Sequence, residues 1–284
     1  MPRKLILSAA ALLILAGCAP KIQEPVEICP GKGTTAEALA ASRFHSQNMV
    51  PLKANGQCRL DYYVEGKKKP QSENLSVKLW ANPPMEMYLQ GDKPLVPTAI
   101  VLGSNEREFW LSIRPKEISL YCWGAWSEQD SSEGPVINPR TLLEALGIAE
   151  VEAGDGWSLS NEGAFDVLTR QEQGVTTRKI YIYSCDYRVR RIDFFGSNGQ
   201  VVARAELDRY QEVSEGFFVP AVMKVVTYGR NTAEGSLSIT LRLESIKPAE
   251  ITEQQRNYLF ERRPPRGFKH VRRIVNGKWI EEPQ

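Results

Sequence analysis

From Gln57 to Pro248, apolar and polar residues exchange places at almost every second position. Leu60, Tyr62 and Val64 alternate with Arg59, Asp61 and Tyr63, and Val77 and Leu79 with Lys78 and Trp80. Phe109 and Leu111 alternate with Trp110 and Ser112, and Ile118 and Leu120 with Ser119 and Tyr121. The pattern returns at Ile180 and Ile182, at Ile192 and Phe194, and at Val201, Ala203, Ala205 and Leu207 opposite Arg204, Glu206 and Asp208. It closes with Met223, Val225 and Thr227, then Leu237, Ile239, Leu241 and Leu243 set against Ser238, Thr240, Arg242 and Glu244. A period of two sends successive side chains to opposite faces, so each segment is a strand with one apolar and one wetter face. Short turns such as Asn198-Gly199 join neighbours antiparallel. Roughly ten such strands predict a mainly β (α+β) protein built on a large curved antiparallel sheet or open half-barrel.

Helices interrupt this pattern at the ends and once in the middle. Thr34-x-x-Glu37 is a capping-box pattern opening a helix with Ala36, Leu39, Ala40 and Phe44 on one face. Asn138, Pro139 and Gly147 bracket a second helix whose apolar face is Leu142, Leu143 and Leu146. No composition break divides the strands, so residues 34–248 read as one domain. Residues 249–284 form a different segment: a helix capped by Thr252, a stop at Pro264-Pro265 and a small hairpin at Asn276-Gly277. Between Arg256 and Lys278 the eight basic residues Arg256, Arg262, Arg263, Arg266, Lys269, Arg272, Arg273 and Lys278 face a single acid, Glu261. Such a segment is either a contact for anionic lipid or wall polymer, or a solvated appendage balancing acidic residues elsewhere.

At the N-terminus, Arg3 and Lys4 precede an apolar run from Leu5 to Leu15. That run falls short of the roughly 20 residues that cross a bilayer but suits the core of a secretory signal. Leu15-Ala16-Gly17-Cys18 resembles a bacterial lipobox, which implies that residues 1–17 are removed and Cys18 is acylated. Several acyl chains on one residue hold a protein at a membrane, each buried methylene contributing about 0.8 kcal/mol. Ala19, where the resemblance would place aspartate in a protein kept at the inner membrane, favours the outer membrane with the domain facing the periplasm. Residues 18–33, rich in proline and glycine, are expected to be the lipidated cysteine and its tether.

Export admits disulfides, and Cys29, Cys58, Cys122 and Cys185 allow three connectivities. A Cys29–Cys58 bridge would pin the first helix to the sheet, leaving Cys122 and Cys185 as buried thiols in apolar strands. No cysteine has metal-ligand spacing, no G-x-S-x-G or phosphate-binding loop is present, and the two histidines, His45 and His270, have no nucleophile beside them. These patterns point away from an enzyme, a metal and a cofactor. Removing Arg3 and Lys4 cancels the formal charge of +2, leaving no global field to gather nucleic acid.

Leader, helix, strands, inserted helix and further strands follow in an order that resembles the LolA/LolB-like lipoprotein-carrier superfamily. Gly56-Gln57-Cys58-Arg59-Leu60 and Leu75-Ser76-Val77-Lys78-Leu79-Trp80-Ala81-Asn82-Pro83-Pro84-Met85 look like that group's first two strands. The resemblance implies an unclosed antiparallel barrel covered by helices, with an apolar hollow for acyl chains. Its inward candidates here are Leu60, Tyr62, Val77, Leu79, Met87, Leu89, Phe109, Leu111, Ile180, Ile182, Val201, Ala203, Leu237, Ile239 and Leu241. Each of these either packs a core or lines the hollow. Leu95 and Val96, at the tip of the loop between the third and fourth strands, are candidates for membrane contact or tuck under the sheet, and the Leu142, Leu143, Leu146 helix is a candidate lid. The implied function is a lipid-anchored monomer that binds the acyl chain of a lipoprotein or lipid and passes it on. The alternative is a structural or sensing envelope lipoprotein with a filled core and a protein partner.

Overall fold

The computed structural model describes residues 27–63, 70–94, 96–115, 118–126, 139–147, 155–228, 237–275 and 278–282. Helix α1 (Thr35–Gln47) leads into β1 (Leu52–Tyr62), β2 (Gln71–Asn82), β3 (Glu86–Lys93), β4 (Val96–Ser104), β5 (Glu108–Ile113) and β6 (Leu120–Ala125). After α2 (Pro139–Ala145) come β7 (Trp157–Glu162), β8 (Phe165–Glu172), β9 (Val175–Tyr183), β10 (Arg188–Phe195) and β11 (Val201–Ser214). The chain continues through β12 (Phe217–Thr227), β13 (Leu237–Pro248), α3 (Glu253–Leu259), β14 (His270–Val275) and β15 (Lys278–Glu281).

All fifteen strands belong to one sheet, in the order β15-β14-β6-β5-β4-β3-β2-β1-β13-β12-β11-β10-β9-β8-β7. Its two outermost strands, β15 and β7, are not joined, so the sheet curves without closing. The centre is the pairing of β1 with β13, by which the two halves of the chain meet in register, Cys58 opposite Leu241 and Leu60 opposite Ile239. A bulge at Asn55/Gly56 interrupts that pairing, and a Cβ on Gly56 would collide with the carbonyl of Arg242.

The helix caps expected from sequence form. The backbone N–H of Glu37 donates to Thr34 Oγ1 at 3.2 Å and that of Thr34 to Glu37 Oε2 at 3.1 Å, while Thr252 and Gln255 make the same reciprocal pair on α3. Strands β7 and β8 are an addition: β7, at the edge, has only Trp157 and Leu159 set against Ser158 and Ser160, and Val167-Leu168 side by side breaks the alternation of β8.

Two expectations are corrected. Cys29 pairs with Cys185 rather than Cys58, with Cα atoms 5.0 Å apart. Cys58 points into the core from the middle of β1 and is buried, whereas Cys185 stands in the turn between β9 and β10 rather than in a strand. The same docking shortens the expected tether. From Glu27 on, the chain lies on the sheet: Tyr183 donates its hydroxyl to the Glu27 carbonyl at 2.9 Å, and the Lys32 N–H donates to buried Asp166 at 2.8 Å.

The C-terminal segment is likewise part of the sheet. Its strand β14 lies parallel to β6, His270 beside Leu120 and Arg273 beside Trp123. Phe268 and Val271 join Trp110 and Tyr121 in a second apolar cluster, on the face opposite the main core. Arg262 lies 3.9 Å over the Trp123 ring and donates to Glu108 at 2.8 Å, so several of the basic residues are used in holding this segment down. Asn276-Gly277 lies outside the described residues.

The bridge spans 156 residues, and closing a loop that long removes much denatured-state freedom. Cys185→Ser is expected to lower unfolding free energy by about 2–5 kcal/mol in urea titrations. Alkylation of the denatured, unreduced protein is expected to label Cys58 and Cys122 but neither Cys29 nor Cys185.

Candidate functional site

Strand register turns the alternation into continuous apolar rows on one face. Leu159, Leu168, Ile180, Ile192, Ala205, Val225, Ile239 and Leu60 are successive partners across eight strands. On the other half Ala54, Leu79, Leu89, Leu102, Leu111 and Cys122 form a matching row. Both belong to the inner surface, together with the candidates Val77, Met87, Ile182 and Leu241, which are buried in the main core. Leu111, Leu237 and Ile239 pack against that core while half-buried. Phe109 is also buried but stacks on Trp126, its ring 4.8 Å away.

Helices α1 and α2 lie against the sheet, α1 against β7, β8 and β12 and α2 against β4 and β11. Leu142, Leu143 and Leu146 are at most 1% exposed and belong to the same core as the strand residues. The helix expected as a lid thus fills part of the hollow. Beside it Glu144 pairs with Arg178 of β9 at 3.1 Å, and the Arg178 guanidinium lies 5.6 Å over the Phe194 ring. Arg178 occupies the inward phase of a strand whose next inward residues are Ile180 and Ile182. A charge in an apolar register was the available sequence signal, but its partner lies 34 residues away in sequence and gave none.

The covering thins toward one end of the strands. There Leu237, Thr227, Ala203, Phe194, Arg178, Arg170 and Trp157 are successive partners, and all but Thr227 and Ala203 are half-exposed. Val201, half-buried, and Tyr62, buried, flank the same rim. Four exposed large side chains also stand at this end: Tyr63 after β1, Val96 at the start of β4, Val175 at the start of β9 and Tyr228 after β12. Val96 is 39% exposed rather than tucked under the sheet; Leu95 lies outside the described residues. The arrangement is an apolar sheet face covered by α2, ending in a partly exposed rim where Leu237, Phe194 and Trp157 are interleaved with Arg178 and Arg170.

The two free thiols offer no chemistry to this face. Burial pushes both Cys58 and Cys122 up to about 12, so they stay protonated and unreactive at neutral pH. Among the described residues, the three metal-capable groups that approach one another are Glu27, Cys29 and Cys185, and two of these are consumed by the disulfide.

Several solved structures share this architecture. A LolA superfamily protein from Nitrosomonas europaea is 11% identical over 78% of this chain and 97% of its own, with a TM-score of 0.48. A DUF1329 family protein from Desulfovibrio piger is 11% identical over 80% of this chain and 98% of its own, with a TM-score of 0.51. A domain assigned to outer membrane lipoprotein sorting, from Vibrio parahaemolyticus, is 11% identical over 78% of this chain and 94% of its own, with a TM-score of 0.49. At such identity it is the fold that is shared, most closely among these three with the Desulfovibrio protein. No family model and no curated protein matches the sequence.

Truncating a leucine of α2 should open a void that the sheet cannot collapse to fill. Leu143→Ala is expected to cost about 2–5 kcal/mol in chemical denaturation. Glu144→Gln, which removes one partner from the Arg178 pair, is expected to cost about 1–3 kcal/mol.

Proposed function

We propose that this protein is a lipid-anchored envelope lipoprotein that takes an acyl chain, from a lipoprotein or a lipid, into the trough between the sheet and α2. The observation that carries the reading is the coincidence, at one end of the strands, of a half-exposed apolar rim and four exposed apolar tips. A filled, fully covered core would need neither. An acyl chain entering at the rim meets Leu237, Phe194 and Trp157 first, then the apolar rows beyond. Transfer requires no cofactor: each methylene moved from water into the trough is favoured by about 0.8 kcal/mol, and the chain leaves when a membrane or a second apolar cavity offers as much burial.

Val96 and its neighbours at the rim supply the contact with the source of the chain. Acylation of Cys18 holds the protein at the outer membrane in this reading. The stoppering helix is the element that moves, and the Glu144–Arg178 ion pair is one of the contacts it would release.

Displacement of a fluorescent long-chain fatty acid from the purified full chain tests the reading. Binding is expected in the wild type, a weaker signal in Leu237→Asp, and a stronger one in Glu144→Gln, whose stopper is loosened. Absence of binding in both the wild type and Glu144→Gln would make the trough a packed core and end the proposal. Mass spectrometry of the membrane-extracted protein reads the acyl groups on Cys18 independently.

A further inference from the structure

The other end of the strands carries a different surface. On the face of the sheet away from the trough, a cleft of about 260 Å³ is lined by Glu162, Phe165, Tyr181, Arg190 and Arg191. Arg191 stacks on Tyr181 with its guanidinium 3.5 Å from the ring centroid, and Arg190 lies 5.3 Å over Tyr183. Phe165 meets the same Tyr183 ring at 6.1 Å. The Arg191 guanidinium is in van der Waals contact with the Tyr181 ring, and Arg190 sits between Tyr183 and Tyr210, 5.4 Å from the latter.

Their N–H donors are incompletely used. Arg190 spends Nη2 on Asp186 at 2.5 Å, yet its Nη1 is buried without a hydrogen-bond partner among the described residues. Arg191 Nε sits 3.5 Å from Asp193 and makes no hydrogen bond, because Asp193 is already taken by Arg204 at 2.7 and 3.2 Å. Arg188, Arg190, Arg191 and Arg204 stand here against Asp186, Asp193 and the exposed Glu162, so the patch these residues make is net positive. Two guanidiniums lining one cleft suit a phosphate. A carboxylate and aromatic rings beside them suit an ammonium group.

Position narrows the ligand further. Tyr183, which forms the floor under Arg190, also holds the Glu27 carbonyl, and Cys185 beside it holds Cys29. Only eight residues separate Glu27 from Cys18. Fully extended, the nine steps between them reach about 30 Å, so an acylated Cys18 keeps Glu27 within about that distance of the bilayer.

We propose that the cleft between Glu162, Phe165, Tyr181, Arg190 and Arg191 binds the headgroup of a zwitterionic phospholipid, its phosphate on the two guanidiniums and its ammonium on Glu162 and the rings. The placement at a membrane rests on the acylation of Cys18 proposed above; the recognition itself does not, so the two fail separately.

The test titrates the full chain with glycerophosphoethanolamine, glycerophosphoglycerol and inorganic phosphate, read by calorimetry and by NMR saturation transfer. Glycerophosphoethanolamine is expected to bind saturably and more tightly than the other two. Arg191→Gln should weaken it about tenfold, the worth of one charge-assisted hydrogen bond. Glu162→Gln should remove the preference for the ammonium-bearing headgroup while leaving glycerophosphoglycerol unchanged. Glu162 is exposed, so that variant decides the matter even if Arg191→Gln unfolds. Equal binding of all three probes would reduce the site to a general phosphate contact and overturn the proposal, as would absence of saturable binding or indifference to Glu162→Gln.

Discussion

An open sheet of fifteen strands presents two faces to water, and the inner one cannot stay there. Its apolar rows run from Leu159 to Leu60 and from Ala54 to Cys122, and each fully buried leucine in them is worth about 1.5–3 kcal/mol relative to exposure. A closed barrel would solve this by facing its rows inward on one another. This sheet does not close, so α1 and α2 do the covering, and α2 commits three leucines to it. Stability and ligand binding therefore draw on the same surface. Under the proposed function an acyl chain would have to compete with Leu142, Leu143 and Leu146 for the strands beneath them.

The outer face is handled locally instead. Trp110, Tyr121 and Trp123 on neighbouring strands would expose a wide aromatic patch, and residues 260–271 lie across it. Gly103 allows Trp110 to lie flat, since a Cβ there would collide with the indole. Asn105 donates to the Phe260 carbonyl at 2.8 Å and Tyr121 to the Arg263 carbonyl at 2.8 Å, satisfying backbone groups that this crossing would otherwise leave unpaired. The basic character of the segment is thereby explained in part by ion pairs with Glu86 and Glu108 and by stacking on Trp123.

Much of this was legible in the residues and some was not, for identifiable reasons. Alternation exposed the strands wherever one face is apolar, so β1, β2, β11 and β13 were plain, and the caps at Thr34 and Thr252 announced their helices. Strands β7 and β8 were less legible because β7 offers just Trp157 and Leu159 before turning polar, and in β8 Val167 and Leu168 stand side by side rather than alternating. The Cys29–Cys185 bridge was misread because nothing local shows that residues 27–33 double back onto the β9–β10 turn; a helix between Cys29 and Cys58 was the visible relation. Of the trough, the apolar lining was readable residue by residue. Its rim and its ion pair were not, since they come from register between strands far apart in the chain. The arginine–aromatic cleft belongs to the same class: Arg190 and Arg191 look like solvated charges until Tyr181 and Tyr183 are found beneath them.

The bridge between Cys29 and Cys185 also settles how mechanical load enters the molecule. Tension applied through residues before Glu27 passes along the covalent link into the β9–β10 hairpin and its neighbours, while α1, lying after Cys29, is shielded from it. Hauling on the leash would tug two long paired strands and spare the helix that covers the trough. Reduction would remove the covalent path, leaving the hydrogen bonds of Glu27 to Tyr183 and of Lys32 to Asp166 to share the load with α1.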